Sequence, residues 1–335
     1  MDEFSIEPEQ WDSRSSAGDS GYSSDSELYS SHSVQSSLYS YEVENGRTYH
    51  AYHAGKYHVP NDDGEQERMD LSYHSMRLTF EDKPFHAPLQ SPTSILDIGT
   101  GTGIWAMDVA DEFPAATVVG FDLSPIQPGL VPPNLQFEIL DADESWEYGT
   151  NRFDLVHTRF MNGFSIKSWP HVYREAWKCL RPRGWVENQE FDCVVVSDDN
   201  TIPEDSKLAE WVRLWNEGIG RMGMTGRIDT ERMASQMREA GFVNVHIKPY
   251  KMPIGAWPKN PRSKEAGVYG LGAVLEGMQG LSMRVFTSGL GWSVEQLEVY
   301  LADVRKELKR GHMHSYWPAY IIMGQKSPDA TPDGL

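Results

Sequence analysis

DIGTGTGIWA (residues 97–106) is the stretch whose reading decides the fold. An apolar run, Ser94–Ile98, carries Asp97 near its end, glycines follow at positions 99, 101 and 103, and Ile104–Glu112 then has helical character. Glycine is required where the backbone turns at positive φ or approaches a ligand within van der Waals contact. A strand, a glycine turn and a helix in immediate succession open a βαβ unit.

Outward from this turn the same pattern recurs. TVVGFDL (117–123), LQFEIL (135–140) and FDLVH (153–157) are short apolar runs, the first with Asp122 near its end. The spacing predicts a helix over Pro170–Leu180, a break at RPRGW (181–185) and a strand over Trp185–Val196. Short apolar runs alternating with helices predict an α/β fold with a buried parallel sheet. The near-universal right-handed crossover restricts it to doubly wound forms. Further on, Ser206–Gly218 and Asp229–Ala240 have amphipathic helical spacing, and Phe242–Tyr250 and Tyr320–Gly324 are strand-like. Val294–Arg310 is the best-signalled late helix: Ser293 and Gln296 form a capping box and Gly311 is the expected stop. The Gly- and Met-rich stretch 265–292 has no clear assignment.

Composition narrows the function. The chain has 335 residues and a formal charge of −19, which opposes nucleic-acid grip through phosphate neutralisation and opposes anionic membrane surfaces. No apolar run approaches the roughly 18 residues of a membrane span. MDEFSIEPEQ lacks the basic and apolar regions of a secretory signal. The two cysteines, Cys179 and Cys193, form no CxxC pair, so neither structural zinc nor a disulfide framework is expected. An intracellular protein, in cytoplasm or nucleus, is the expectation. Residues 1–40 hold 14 serines and eight acids against one basic residue, Arg14, and are expected to be disordered.

The glycine loop admits two ligands. A dinucleotide fingerprint, G-x-G-x-x-G, counted from Gly99, needs a glycine where Ile104 stands. An acid at the strand end followed by G-x-G-x-G is instead the pattern that holds S-adenosylmethionine, and the spacing favours it. Asp122, 25 residues after Asp97, is placed to accept hydrogen bonds from both ribose hydroxyls, although dinucleotide enzymes use a similar acid. Asp141 and Ala142 follow the third strand, where a side chain and a backbone amide can meet an adenine edge. Candidate donor-binding residues are therefore Asp97, Gly99, Gly101, Gly103, Asp122, Asp141 and Ala142.

Several longer blocks are more particular: NGRTYHAYHAGKY (45–57), VPNDDGEQERMDL (59–71), GFDLSPIQP (120–128), LRPRGWVENQE (180–190) and HSYWPAYIIMGQK (314–326). With the glycine loop they resemble the fungal LaeA-like methyltransferases, also called TAM-domain or UMTA-type, from Glu44 to Pro328. That resemblance implies a class I methyltransferase, Rossmann-like, whose seven-stranded sheet runs 3-2-1-4-5-7-6 with the last strand antiparallel. Its domain would span 41–328, with cap insertions around 197–240 and 254–312 and a flexible tail at 329–335. It also implies a small-molecule or protein methyl acceptor, a setting in secondary metabolism, and velvet-type protein partners if the chain is a nuclear regulator. A nucleoside-binding regulator without transfer is a third reading. Arg183 stands where the family pattern has glycine.

Methyl transfer from a sulfonium needs alignment and exclusion of water more than a universal catalytic side chain. Acceptor-side candidates are His157 and Arg159 at the end of the fourth strand, and Tyr49 with His50, Tyr52, His53, Tyr57 and His58. His157 is alternatively a core histidine. The Tyr/His block is either a lid over the donor or an N-terminal helix packing aromatics on the sheet. Asp62, Asp63, Glu65, Glu67 and Asp70 suit an acid-rich helix start better than a metal site. Trp105, near the start of the first helix, is expected to wall the donor's methionine pocket, with a place in the core as the alternative. RKELKR (305–310) hints at nuclear import, though basic residues also suit a helix C-terminus. No [DNS]-P-P-[YFW] tetrapeptide follows the fourth strand, which argues against DNA amino-group methylation, and neither cysteine follows a proline as in cytosine C5 enzymes.

Overall fold

The computed structural model describes residues 41–329. The expectations placed on the serine-rich head, and on the tail beyond residue 329, fall outside the described residues.

A short hairpin, β1 (Glu42–Glu44) and β2 (Arg47–Tyr49), precedes α1 (Asp63–Thr79). The central sheet follows: β3 (Ser94–Ile98), α2 (Ile104–Glu112), β4 (Thr117–Asp122), β5 (Leu135–Ile139), β6 (Phe153–Arg159), α3 (Trp169–Cys179) and β7 (Leu180–Phe191). The remainder comprises α4 (Lys207–Arg221), α5 (Thr230–Glu239), β8 (Phe242–Pro253), α6 (Pro261–Arg284), a π-helical turn (Val285–Gly289), α7 (Val294–Arg310) and β9 (Tyr316–Lys326). The sheet order is β5-β4-β3-β6-β7-β9-β8, with β9 antiparallel to both neighbours. Numbered within the seven-stranded sheet alone, this is 3-2-1-4-5-7-6; the separate hairpin ahead of it was not in the expected strand set.

Each turn of the chain has a local cause. Asp62 caps α1 by accepting from the Glu65 amide at 3.1 Å, so the acid block opens a helix. Ser293 and Gln296 form the capping box of α7, and Gly311 at φ +66 ends it. β3 is buried at every position, because helices cover both faces of a parallel sheet. Leu96 and Ile98 join the core under α3 and α5, whereas Ile95 faces Trp105, Val109 and Tyr73 on the opposite side. Burying each such aliphatic side chain contributes roughly 1.5–3 kcal/mol.

Two expectations are corrected here, and one unassigned stretch finds its place. RPRGW does not break the chain before the fifth strand: Leu180 already pairs with Phe153, and an irregularity at Arg183 (φ +70) is absorbed within β7. Residues 265–292 form most of α6, a 24-residue helix. The segment 197–240 is not one cap, since α4 joins α7 and the π turn while α5 packs on β8 and β9. Among the described residues, no helix is long and apolar enough to cross a membrane.

Candidate functional site

The glycine loop lies at the carboxyl end of β3, where doubly wound sheets bind ligands. Gly99, Gly101 and Gly103 have φ of +65°, +59° and +82°. A Cβ on Gly99 would sit 2.1 Å from Met161 Sδ, and one on Gly103 would sit 2.4 Å from the Phe137 ring. β4 secures the loop. The Thr100 amide donates to the Phe121 carbonyl at 3.0 Å, and the Gly101 amide to Asp122 Oδ2 at 2.9 Å. Gln127 closes it from the other side, its Nε2 donating to the Gly101 carbonyl at 2.6 Å.

Asp122 Oδ1 also accepts from the Ser124 amide at 3.0 Å. A carboxylate offers about four acceptor positions, so this one retains capacity on the cleft it lines. Burial pushes its pKa up, against the downward pull of the Gly101, Ser124 and Leu123 amides.

Asp97 is placed differently from its expected role. It is 2% exposed, is not among the residues lining the cleft, and accepts from Thr100 Oγ1 at 2.7 Å and pairs with His157 Nδ1 at 2.8 Å. His157 is fully buried, its ring stacked on Trp105 with centroids 3.7 Å apart. Trp105 donates to the Pro84 carbonyl at 2.8 Å, so it is core rather than pocket wall. Tyr49 is likewise buried, beneath the Arg284 guanidinium at 3.5 Å from its ring centroid, and burial pushes its pKa up to about 12. Of His157, Tyr49 and Arg159, Arg159 alone lines the cleft, while Gly103 stands behind it as the N-cap of α2.

The Tyr/His block does not form the helix that was one of its two expected forms. After β2 it arches over the ends of β4 and β5. Lys56 pairs with Asp141 and, at 2.9 Å, with Asp143. His53 Nδ1 lies 2.8 Å from Asp141 Oδ2, and Tyr52 donates to Glu144 at 3.2 Å. Burial pushes Asp141 up, but Lys56, the Asp143 amide and His53 together hold it below the usual carboxylate range. Asn61 Nδ2 donates to Ser124 Oγ at 2.9 Å, pinning the end of the arch to the strand that carries Asp122. His50, Lys56 and Tyr57 line the cleft with Asp141 and Ala142.

Beyond the loop the cleft widens into an apolar chamber. Phe160, Phe164, Trp211, Trp215, Val274 and Trp317 supply much of its wall, contributed by β9, two helices and the segment after β6. The cleft and the solvent-open space at its mouth together span about 1640 Å³. Two of its supports, Gln127 in GFDLSPIQP and Asn61 in VPNDDGEQERMDL, carried no sequence signal beyond their position in quoted blocks, and Asp70, read only as part of the acid-rich helix start, accepts from Thr102 Oγ1 at 2.7 Å. Trp211 and Trp215 share one face of α4 at i, i+4, but nothing local joins them to Trp317, about a hundred residues further on. Among the described residues no cluster of His, Cys, Asp or Glu has the makings of a metal site.

A family model described as a methyltransferase domain matches residues 72–247. The chain is 40% identical over 296 residues to the methyltransferase pytC of Aspergillus terreus, covering 88% of this chain and 90% of that one. It is 34% identical to the secondary metabolism regulator LAE1 of Cochliobolus heterostrophus, covering 82% and 91%. To the secondary metabolism regulator laeA of Aspergillus fumigatus it is 32% identical, covering 84% and 76%.

Proposed function

The chain belongs to the fungal LaeA-like methyltransferases, and from that premise we propose that its cleft binds S-adenosylmethionine and presents the methyl group to a small, largely apolar acceptor. One observation carries the reading: Asp122, with acceptor capacity unspent, lines with Gly99 and Gly101 the same cleft that continues into the aromatic chamber.

The residues fit the donor. Asp122 would accept from the ribose hydroxyls, the backbone at Gly99 and Gly101 would lie against the ligand, and Asp141 with Ala142 would border the adenine. Asp97 and Gly103 hold the loop from behind. S-adenosylmethionine supplies an electrophilic methyl group on a positively charged sulfur. The protein's own work is to orient the acceptor, exclude water and fix the reacting distance at roughly 3–3.5 Å. Tyr57 and the aromatic walls suit that exclusion. Asp141, Asp143 and Glu144 tether the arch that covers the strand ends.

A small acceptor is favoured over a protein side chain because the chamber is enclosed by tryptophans and phenylalanines, and pytC is named as a methyltransferase rather than a regulator. Secondary metabolism is the setting that the relatives' names support. The test is incubation of isotopically labelled donor with extract of the native host, fractionated into protein and small molecules. Label in a small molecule supports this reading. Label in protein alone moves the acceptor to a protein, and label in neither contradicts catalysis.

A further inference from the structure

Arg159 is the last residue of β6 and lines the cleft. Among the described residues its side chain has no hydrogen bond or ion pair, and its Nε is sealed from water without a partner. Its guanidinium carbon rests 4.9 Å from the centroid of the Tyr73 ring and 5.9 Å from that of Phe160. The nearby carboxylates are engaged elsewhere, Asp97 with Thr100 and His157, and Asp70 with Thr102. Arg68, the other arginine on the cleft, is already paired with Glu65 at 2.7 Å. A guanidinium held off water with no carboxylate hydrogen-bonded to it is costly: burial lowers its pKa, against the smaller upward pull of Asp97, Tyr73 and Asp70. Such a group is held for an anion that arrives with a ligand.

Strand register says which anion. Ile98 of β3 is paired with Phe121 of β4 on one side and with Thr158 of β6 on the other. One residue further, Asp122 and Arg159 therefore flank Gly99 at the same level. Two strand spacings separate their backbones, roughly 10 Å. A nucleoside whose ribose sits on Asp122 and whose amino-acid chain crosses Gly99 brings its carboxylate to the β6 side.

We propose that Arg159 binds the carboxylate of the donor's amino-acid end, forming the second anchor of the donor across the glycine loop from Asp122. This rests on the function proposed above and replaces the expectation that Arg159 serves the acceptor. With both ends fixed, the sulfonium methyl has one direction left, toward the chamber. Arg and carboxylate also match in geometry, since the planar fork donates two parallel hydrogen bonds.

Calorimetric titration of the full chain with S-adenosylhomocysteine, and with its decarboxylated analogue S-adenosyl-3-thiopropylamine, tests the assignment. The unsubstituted chain is expected to prefer the first by roughly 10- to 100-fold. Arg159→Gln is expected to bring the two affinities close together by weakening S-adenosylhomocysteine alone, and Arg159→Lys to keep part of the preference. Equal affinities in the unsubstituted chain, or a full preference surviving in Arg159→Gln, overturn the proposal and return the guanidinium to an acidic acceptor. Should Arg159→Gln bind neither ligand, Arg159→Lys decides: a retained preference supports the assignment and an abolished one overturns it. Failure of the unsubstituted chain to bind either ligand is a different result, and defeats the donor site itself.

Discussion

His157 Nδ1 lies 2.8 Å from Asp97 Oδ1, joining β6 to β3 directly beneath the glycine loop. The other oxygen of Asp97 accepts from Thr100 Oγ1 at 2.7 Å, so one buried carboxylate ties the neighbouring strand to the loop itself. Asp97→Ala strands a buried imidazole nitrogen and frees Thr100, at an expected cost of about 2–3 kcal/mol. Urea denaturation measures it. Asp97→Asn, which keeps an acceptor, should lose less, and a loss in Asp97→Ala no greater than that of an ordinary surface substitution would show the carboxylate to be idle.

Asp122 carries the opposite expectation, a large effect on ligand and a small one on folding. Asp122→Ala should weaken S-adenosylhomocysteine by one to two decades, about 1.5–3 kcal/mol for hydrogen bonds to a charged acceptor. Its unfolding midpoint should move little, because Gln127 and the Thr100 amide still hold the loop. Unchanged affinity by calorimetry would mean the ribose lies elsewhere.

Gly103 is a structural position rather than a contact. Gly103→Ala places a side chain at φ +82° and 2.4 Å from the Phe137 ring. The backbone strain alone is of order 1–2 kcal/mol, and Phe137 must shift as well. A fall of several degrees in the thermal midpoint is expected by calorimetry for a domain of this kind; an unchanged midpoint would show that the turn relaxes.

Glu65 makes stability depend on pH. Burial pushes its pKa up to about 7 from the ordinary 4.5, against the pull of Arg68. The folded state therefore binds this proton more tightly than the unfolded state. The contribution is fully present below pH 4.5 and is lost as pH rises through 7, by at most about 3 kcal/mol. Glu190, pushed up to about 8 by burial, acts in the same direction at slightly higher pH. Glu65→Gln, whose carbonyl still accepts from Arg68, should flatten the decline in unfolding free energy between pH 5 and 7 and be the more stable chain at pH 8. A wild-type stability that instead climbs across this range contradicts the sign.

How far the sequence disclosed all this depended on whether the cause was local. The β3 turn, the capping of α7 and the acid-rich start of α1 rest on neighbours within a few residues, and they stand where the spacing places them. α6 was illegible because five glycines within it (267, 270, 272, 277 and 280) oppose helix formation locally. Their reason is tertiary: a Cβ at Gly277 would sit 2.0 Å from Arg68 Cδ, and one at Gly267 would sit 2.1 Å from the Gly255 carbonyl. Close approach of α6 to α1 and to the end of β8 overrides propensity. Trp105 was misplaced for a related reason, since an aromatic at a helix start is equally consistent with pocket and core until its partner is known. Asp97 has the residue type of a ligand-binding acid, but it is buried away from the cleft, where it holds Thr100 and His157. The arch over β4 and β5 depends on Lys56 and His53 meeting Asp141 across 85 and 88 residues, a pairing no periodicity announces.

The most direct measurement is isothermal titration of the unsubstituted chain at neutral pH with S-adenosylhomocysteine and, separately, with NAD. Saturable one-to-one binding of the first at micromolar concentration, with NAD producing no heat beyond dilution, is the result the cleft's geometry demands. Tight NAD binding with S-adenosylhomocysteine inert would contradict it.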